Sequence, residues 1–163
     1  MAWDRNSANY PRPVAQFDAT ACWAAGLEWW LRCMHESRVV TNQLNLLSRF
    51  VRYWNSDESS PEYGTITGEN FGHILDDDSI RMSYIVRAPG SWDKDHIAEK
   101  LAISPVIIGY HEQEVDGFHV NVIHSLNNTA TADVNVMDPN RGRYRTRSNH
   151  HFKTRHYVLG WAK

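Results

Sequence analysis

Apolar and polar positions divide this chain near residue 80. Before it, apolar residues recur at helical spacing. After it, they alternate or fall in short β-branched blocks. The strongest helical stretch is 21–35. There Ala21, Trp23, Ala24, Ala25, Leu27, Trp29, Trp30, Leu31 and Met34 run nearly all the way round the axis. Only Glu28 and Arg32 break that run, and at i, i+4 they share one narrow stripe. A helix this apolar belongs at the centre of a fold. Asp18 or Thr20 is placed to cap its start. Gly26 costs it about 1 kcal/mol of propensity, which close packing by a neighbour would explain.

A second helix is predicted over 42–54, capped by Thr41, with Leu44, Leu47, Val51 and Trp54 facing inward. Residues 55–66 read as a polar loop. Thr67 caps a short helix through Leu75, and Asp76-Asp77-Asp78 reads as its solvated end. Then Ile80, Met82, Tyr84 and Val86 alternate with polar residues, a strand with one wet face. Ser91 can cap a helix over 92–102, with Ile97 and Leu101 inward. Pro105–Tyr110 is a central strand in which the proline can hold only the first position. Phe118–His124, Ala132–Met137, a basic segment near Tyr144 and Tyr157–Trp161, closing the sheet, supply the rest. Residues 1–15, with Pro11 and Pro13, form an irregular lead-in that is extended over 1–13. Helices first and meandering strands second predict an α+β fold with an antiparallel sheet, in one domain spanning 1–163.

Composition narrows the function. Seventeen basic against nineteen acidic side chains leave a net charge of −2, which gives no footprint for nucleic acid or an anionic membrane. No apolar run approaches the roughly 18 residues of a membrane span, and Met1–Asn6 holds no apolar signal core. Cys22 and Cys33 lie eleven residues apart, about 16 Å on one helix, too far for a disulfide. Free thiols fit a reducing compartment.

Gln16-Phe17-Asp18-Ala19-Thr20-Ala21-Cys22-Trp23-Ala24-Ala25 carries the candidate chemistry. It puts Cys22 in the first turn of the central helix, where unpaired N–H groups and a partial positive charge favour a thiolate. Gln16, six residues earlier, offers an N–H donor to an oxyanion. Cys33 lies deep in the helix and reads as an inert core thiol. Among nine histidines, His119 opens a strand as it leaves a loop, and can face a helix start as general base. His124 is the runner-up, on the opposite face by parity. His35, His73, His96, His111, His150, His151 and His156 sit at polar or tail positions. Asp138, ending the next strand before Pro139, can bond the imidazole through Nδ1–H and fix its tautomer.

With these residues in place, the sequence resembles the papain-like cysteine peptidases. The matching residues are Gln16, Cys22-Trp23, Phe118-His119-Val120-Asn121-Val122 and Val134-Asn135-Val136-Met137-Asp138-Pro139. The ending is most similar to the small bacterial branches: peptidases that process double-glycine leaders, and papain-like secreted effectors or toxins. The resemblance spans roughly 14–161. Ala21 stands where many relatives have Gly or Ser, and Asp138 where papain has Asn.

The resemblance implies a cysteine endopeptidase. Cys22 would be the nucleophile, His119 the ion-pair partner, Asp138 the orienter, and Gln16 with the Cys22 N–H the oxyanion hole. Trp23 would shield the site or bind substrate, with a packing role equally open. No cofactor and no metal are implied. A protein or peptide is the expected substrate, and a cognate inhibitor protein covering the cleft the expected partner. The expected location is the cytoplasm of a target cell, or outside the producer by a non-classical secretion route. The same triad also suits an amidase, deamidase or transglutaminase-like enzyme, and the scaffold suits a non-catalytic binding module.

Overall fold

The computed structural model describes residues 3–34 and 41–163. In chain order its elements are α1 (Cys22–Cys33), α2 (Gln43–Arg49), α3 (Gly68–Asp76), β1 (Met82–Arg87), α4 (Lys94–Leu101), β2 (Val106–Glu112), β3 (Gly117–Leu126), β4 (Val134–Asp138), β5 (Arg143–Arg147), α5 (His150–Lys153) and β6 (Tyr157–Ala162). The six strands form one antiparallel sheet in the order β1-β6-β2-β3-β4-β5. The fold is α+β, as the pattern predicts.

α1 is the core helix. Trp23, Leu27, Trp29 and Trp30 on it have no exposed surface. Even Glu28 is buried, its carboxylate accepting from Arg32 and from the Gln43 N–H. Gly26 explains its own presence, since a Cβ there would stand 2.8 Å from a methyl of Val120 on β3, with Val122 and Pro139 just beyond. The missing side chain lets α1 lie close to the strand that carries His119. α3 covers the same sheet face, with Gly72 against Tyr84 and Phe71 against Phe118. α4 and α5 take the other face, where His96 meets Trp161 and Phe152 meets Tyr110. The predicted last residue of the first helix, His35, lies outside the described residues, as do Met1 and Ala2 of the lead-in.

Several local expectations are corrected. α2 ends at Arg49, and a 3-10 turn over Val51–Tyr53 follows. Its cap is Asn42, which accepts from the Asn45 N–H, and not Thr41. Its inward residue is Leu46, with Phe50 beyond the helix end, whereas Leu44 and Val51 are exposed. Breaking the helix at Phe50 shifts the stripe that a continuous helix would bury. Asp93, not Ser91, caps α4 and takes two N–H groups; the Ser91 hydroxyl turns back to the Ala88 carbonyl. Thr67 caps α3 as read. β6 does not close the sheet from an edge. It is inserted between β1 and β2, and its Val158-Leu159 core is buried on both faces. α5 falls in a basic stretch with no apolar period to announce it. No helix among the described residues is long and apolar enough to cross a membrane.

Candidate active site

The first turn of α1 begins without a side-chain cap. Its N-cap is Ala21. Asp18 instead ties the preceding turn, taking the Thr20 N–H at 2.8 Å and the Thr20 hydroxyl at 2.6 Å. This corrects the expected capping by Asp18 or Thr20, and the Cys22 and Trp23 N–H groups act instead on the Cys22 sulfur itself. β3 pairs with β4 only from Val122 onward. The β3 edge ahead of that point faces Cys22, whose Sγ donates to the Phe118 carbonyl at 3.6 Å. The thiol therefore rests against the backbone that carries His119.

Cys22 is only 3% exposed. Burial pushes its thiol up to about 12, against the pull of the Val120, Trp23 and Cys22 backbone N–H groups; the nearby Asp138 charge pushes the same way as burial. Burial thus works against the thiolate that the helix position favours. Cys33 is a free thiol that burial also raises.

His119 and Asp138 meet inside the protein. His119 Nε2 lies 2.7 Å from Asp138 Oδ1, and the two residues are 1% and 0% exposed. The contact uses Nε2, not the expected Nδ1. With the carboxylate ionised, Nε2 carries the hydrogen and donates it. Burial by itself would raise the Asp138 carboxyl. The hydrogen bond and charge of His119, the Asn140 N–H and the Arg147 guanidinium outweigh it and leave the group below its usual value. The β3–β4 ladder, Val122 opposite Met137, places the two residues together across adjacent strands.

Gln16 is joined to the same corner by its backbone, whose N–H donates to the Pro139 carbonyl at 2.9 Å. Its side-chain Nε2 donates to the Asp18 carbonyl at 2.8 Å. A primary amide has two N–H hydrogens, so one fixes the group and the other is left. Ala15 owes its position to Gly142, which has a φ of +57° and whose Cβ, if present, would stand 2.6 Å from the Ala15 nitrogen. Trp23 lies in the core, with no exposed surface and its ring against Phe50. That placement supports packing, not contact with substrate. His124 sits at the β3 bulge, on the face away from His119, among the rings of Tyr10, Trp29 and Tyr144. Burial lowers it to about 4.

Sequence reasoning missed the charged residues behind Asp138. Its Oδ2 accepts from Arg145 Nη1 at 3.2 Å and from Arg147 Nη2 at 3.3 Å. Arg147 is also 3.1 Å from Glu112 Oε2. The available signal was the period-two spacing of Arg143, Arg145 and Arg147. On a strand paired to β4, that spacing puts all three on the Asp138 face.

A cysteine opening a buried helix, packed on an antiparallel sheet with a buried His–Asp pair, fits the papain-like class of fold. The family model described as papain-like cysteine protease AvrRpt2 matches residues 6–156, and this chain belongs to that family. It is a hydrolase, a cysteine protease, and its substrate class is protein. No curated protein matches the chain.

Proposed function

We propose that Cys22, His119 and Asp138 are the catalytic triad of this protease, with Gln16 and the Cys22 backbone N–H as oxyanion donors. The observation that carries this reading is the 2.7 Å contact between His119 Nε2 and Asp138 Oδ1. It occupies one ring nitrogen and leaves Nδ1 to exchange a proton with the thiol. Transfer from Cys22 to Nδ1 creates a thiolate–imidazolium pair, which the buried thiol needs in order to ionise.

The thiolate attacks the scissile carbonyl carbon. A C–S bond forms while the carbonyl π pair moves to oxygen, facing the second Gln16 N–H and the Cys22 N–H. The imidazolium gives its proton to the leaving nitrogen as the C–N bond breaks, and a thioester remains. His119 then takes a proton from water, the hydroxide displaces sulfur, and Cys22 is restored. Asp138 stays ionised throughout and holds the ring.

The protease acts as a bacterial effector or toxin module on a protein inside a target cell, and a cognate inhibitor protein in the producer covers the Cys22 cleft. Support for the effector role comes from the family description. A substrate trap tests the reading: Cys22→Ala should capture a protein that wild type cuts. Mass spectrometry of an incubated proteome should then find backbone scission. A deamidation mass shift without scission would refute the peptidase assignment and favour side-chain amide chemistry.

A further inference from the structure

An ionised carboxylate with no exposed surface needs compensating partners, and His119 donates to one oxygen only. The other oxygen faces two guanidiniums from β5. Arg147 is 5% exposed and fixed from several sides. Its Nη2 lies 3.1 Å from Glu112 Oε2, its Nε donates to Asn121 Oδ1 at 3.4 Å, and Nη2 also reaches the Tyr110 hydroxyl at 3.5 Å. The Tyr110 hydroxyl in turn bonds Asn121 and Glu112. Arg145, by contrast, is partly exposed; Glu114 lies against both arginines, 3.6 Å from Arg145 Nη1 and 3.7 Å from Arg147 Nη1.

Resting on the triad proposed above, we infer that Arg147 is a positioning residue for catalysis: anchored by Glu112, it occupies Asp138 Oδ2 and so presents Oδ1 to His119. The arrangement accounts for an aspartate where papain has asparagine. A neutral amide would need no guanidinium behind it, whereas a buried carboxylate does.

The charges around Asp138 fit this role. Arg145 and Arg147 face it from β5, His119 from β3, Glu112 and Tyr110 from β2, Glu114 from the following turn, His151 from α5 and Cys22 from α1. Two guanidiniums thus stand among three carboxylates. Burial and Arg147 hold His151 toward its neutral form.

The test is the pH dependence of Cys22 alkylation by iodoacetamide, read by peptide mass spectrometry so that Cys33 is followed separately. It compares wild type, Arg147→Met, Arg147→Lys and the Glu112→Gln/Arg147→Met pair, which removes both buried charges and keeps a folded variant available. The acid limb should move toward neutral by about one pH unit or more in the Met variants, with Lys restoring part of the shift. In an Asp138→Asn background, Arg147→Met should move it no further. A limb that stays in place while the protein merely loses stability would overturn the positioning role, as would an equal shift in the Asn background. His119→Ala separates the two claims. If it leaves the wild-type profile intact, the triad itself fails. If it changes the profile while Arg147→Met does not, only the role of Arg147 fails.

Discussion

The Asp138 carboxylate meets His119 through Nε2, at 2.7 Å, and not through Nδ1. That choice of nitrogen leaves Nδ1 without the carboxylate. The other Asp138 oxygen is held by Arg145 and Arg147.

Removing Asp138 should therefore damage stability as well as chemistry. Asp138→Ala leaves Arg147 buried opposite a void but still paired with Glu112, so the loss should approach, from below, the about 3–5 kcal/mol of a broken buried pair. Urea unfolding should show a loss of that order. Asp138→Asn, which keeps the volume and one acceptor oxygen, should lose less stability. Equal and negligible losses in both would mean that the arginine contacts do not hold the carboxylate.

Acid should loosen the aromatic cluster around His124. The folded protein lowers this imidazole from 6.5 to about 4 by burial, so the unfolded chain binds the proton first. Its contribution is full above pH 6.5 and is lost as pH falls from there toward 4. The loss is at most about 3 kcal/mol, less whatever solvent screening removes. His151 titrates in the same direction. His124→Phe should flatten this part of the stability–pH curve and spare activity. An unchanged curve would contradict the assignment.

Gln16 should matter to turnover more than to binding. Losing one oxyanion donor costs roughly 10²–10³ in kcat, so Gln16→Ala should lower kcat on a captured substrate with little change in KM. Gly142→Ala should act on the same property from a distance. A Cβ at a φ of +57° would strike the Ala15 backbone and displace the segment that carries Gln16. A Gly142→Ala enzyme with wild-type kcat would show that this approach does not position Gln16.

The central helix and the partnership of His119 with Asp138 were legible because each rests on one strong local signal. α1 is apolar on nearly every face. β3 and β4 are consecutive antiparallel strands, so the start of β3 lies beside the end of β4. The ring nitrogen was not legible, because it depends on the side-chain torsions of His119 and on where Asp138 stands across the ladder. The burial that opposes ionisation of Cys22 was not legible either, since helix position is visible in sequence and burial depth is not. Arg145 and Arg147 looked like a basic edge until the β4–β5 register placed them behind Asp138. Asn42 and Thr41 are both capping residues, and only the backbone decides which one caps.

The most direct test of the account needs no substrate. It is the rate at which iodoacetamide alkylates Cys22 relative to Cys33 near pH 6, in wild type and in His119→Ala. Cys22 should react far faster than Cys33 in wild type, despite its burial, and should fall to the rate of an ordinary buried thiol when His119 is removed. Equal rates at the two cysteines, or a fast Cys22 that survives the loss of His119, would contradict the account.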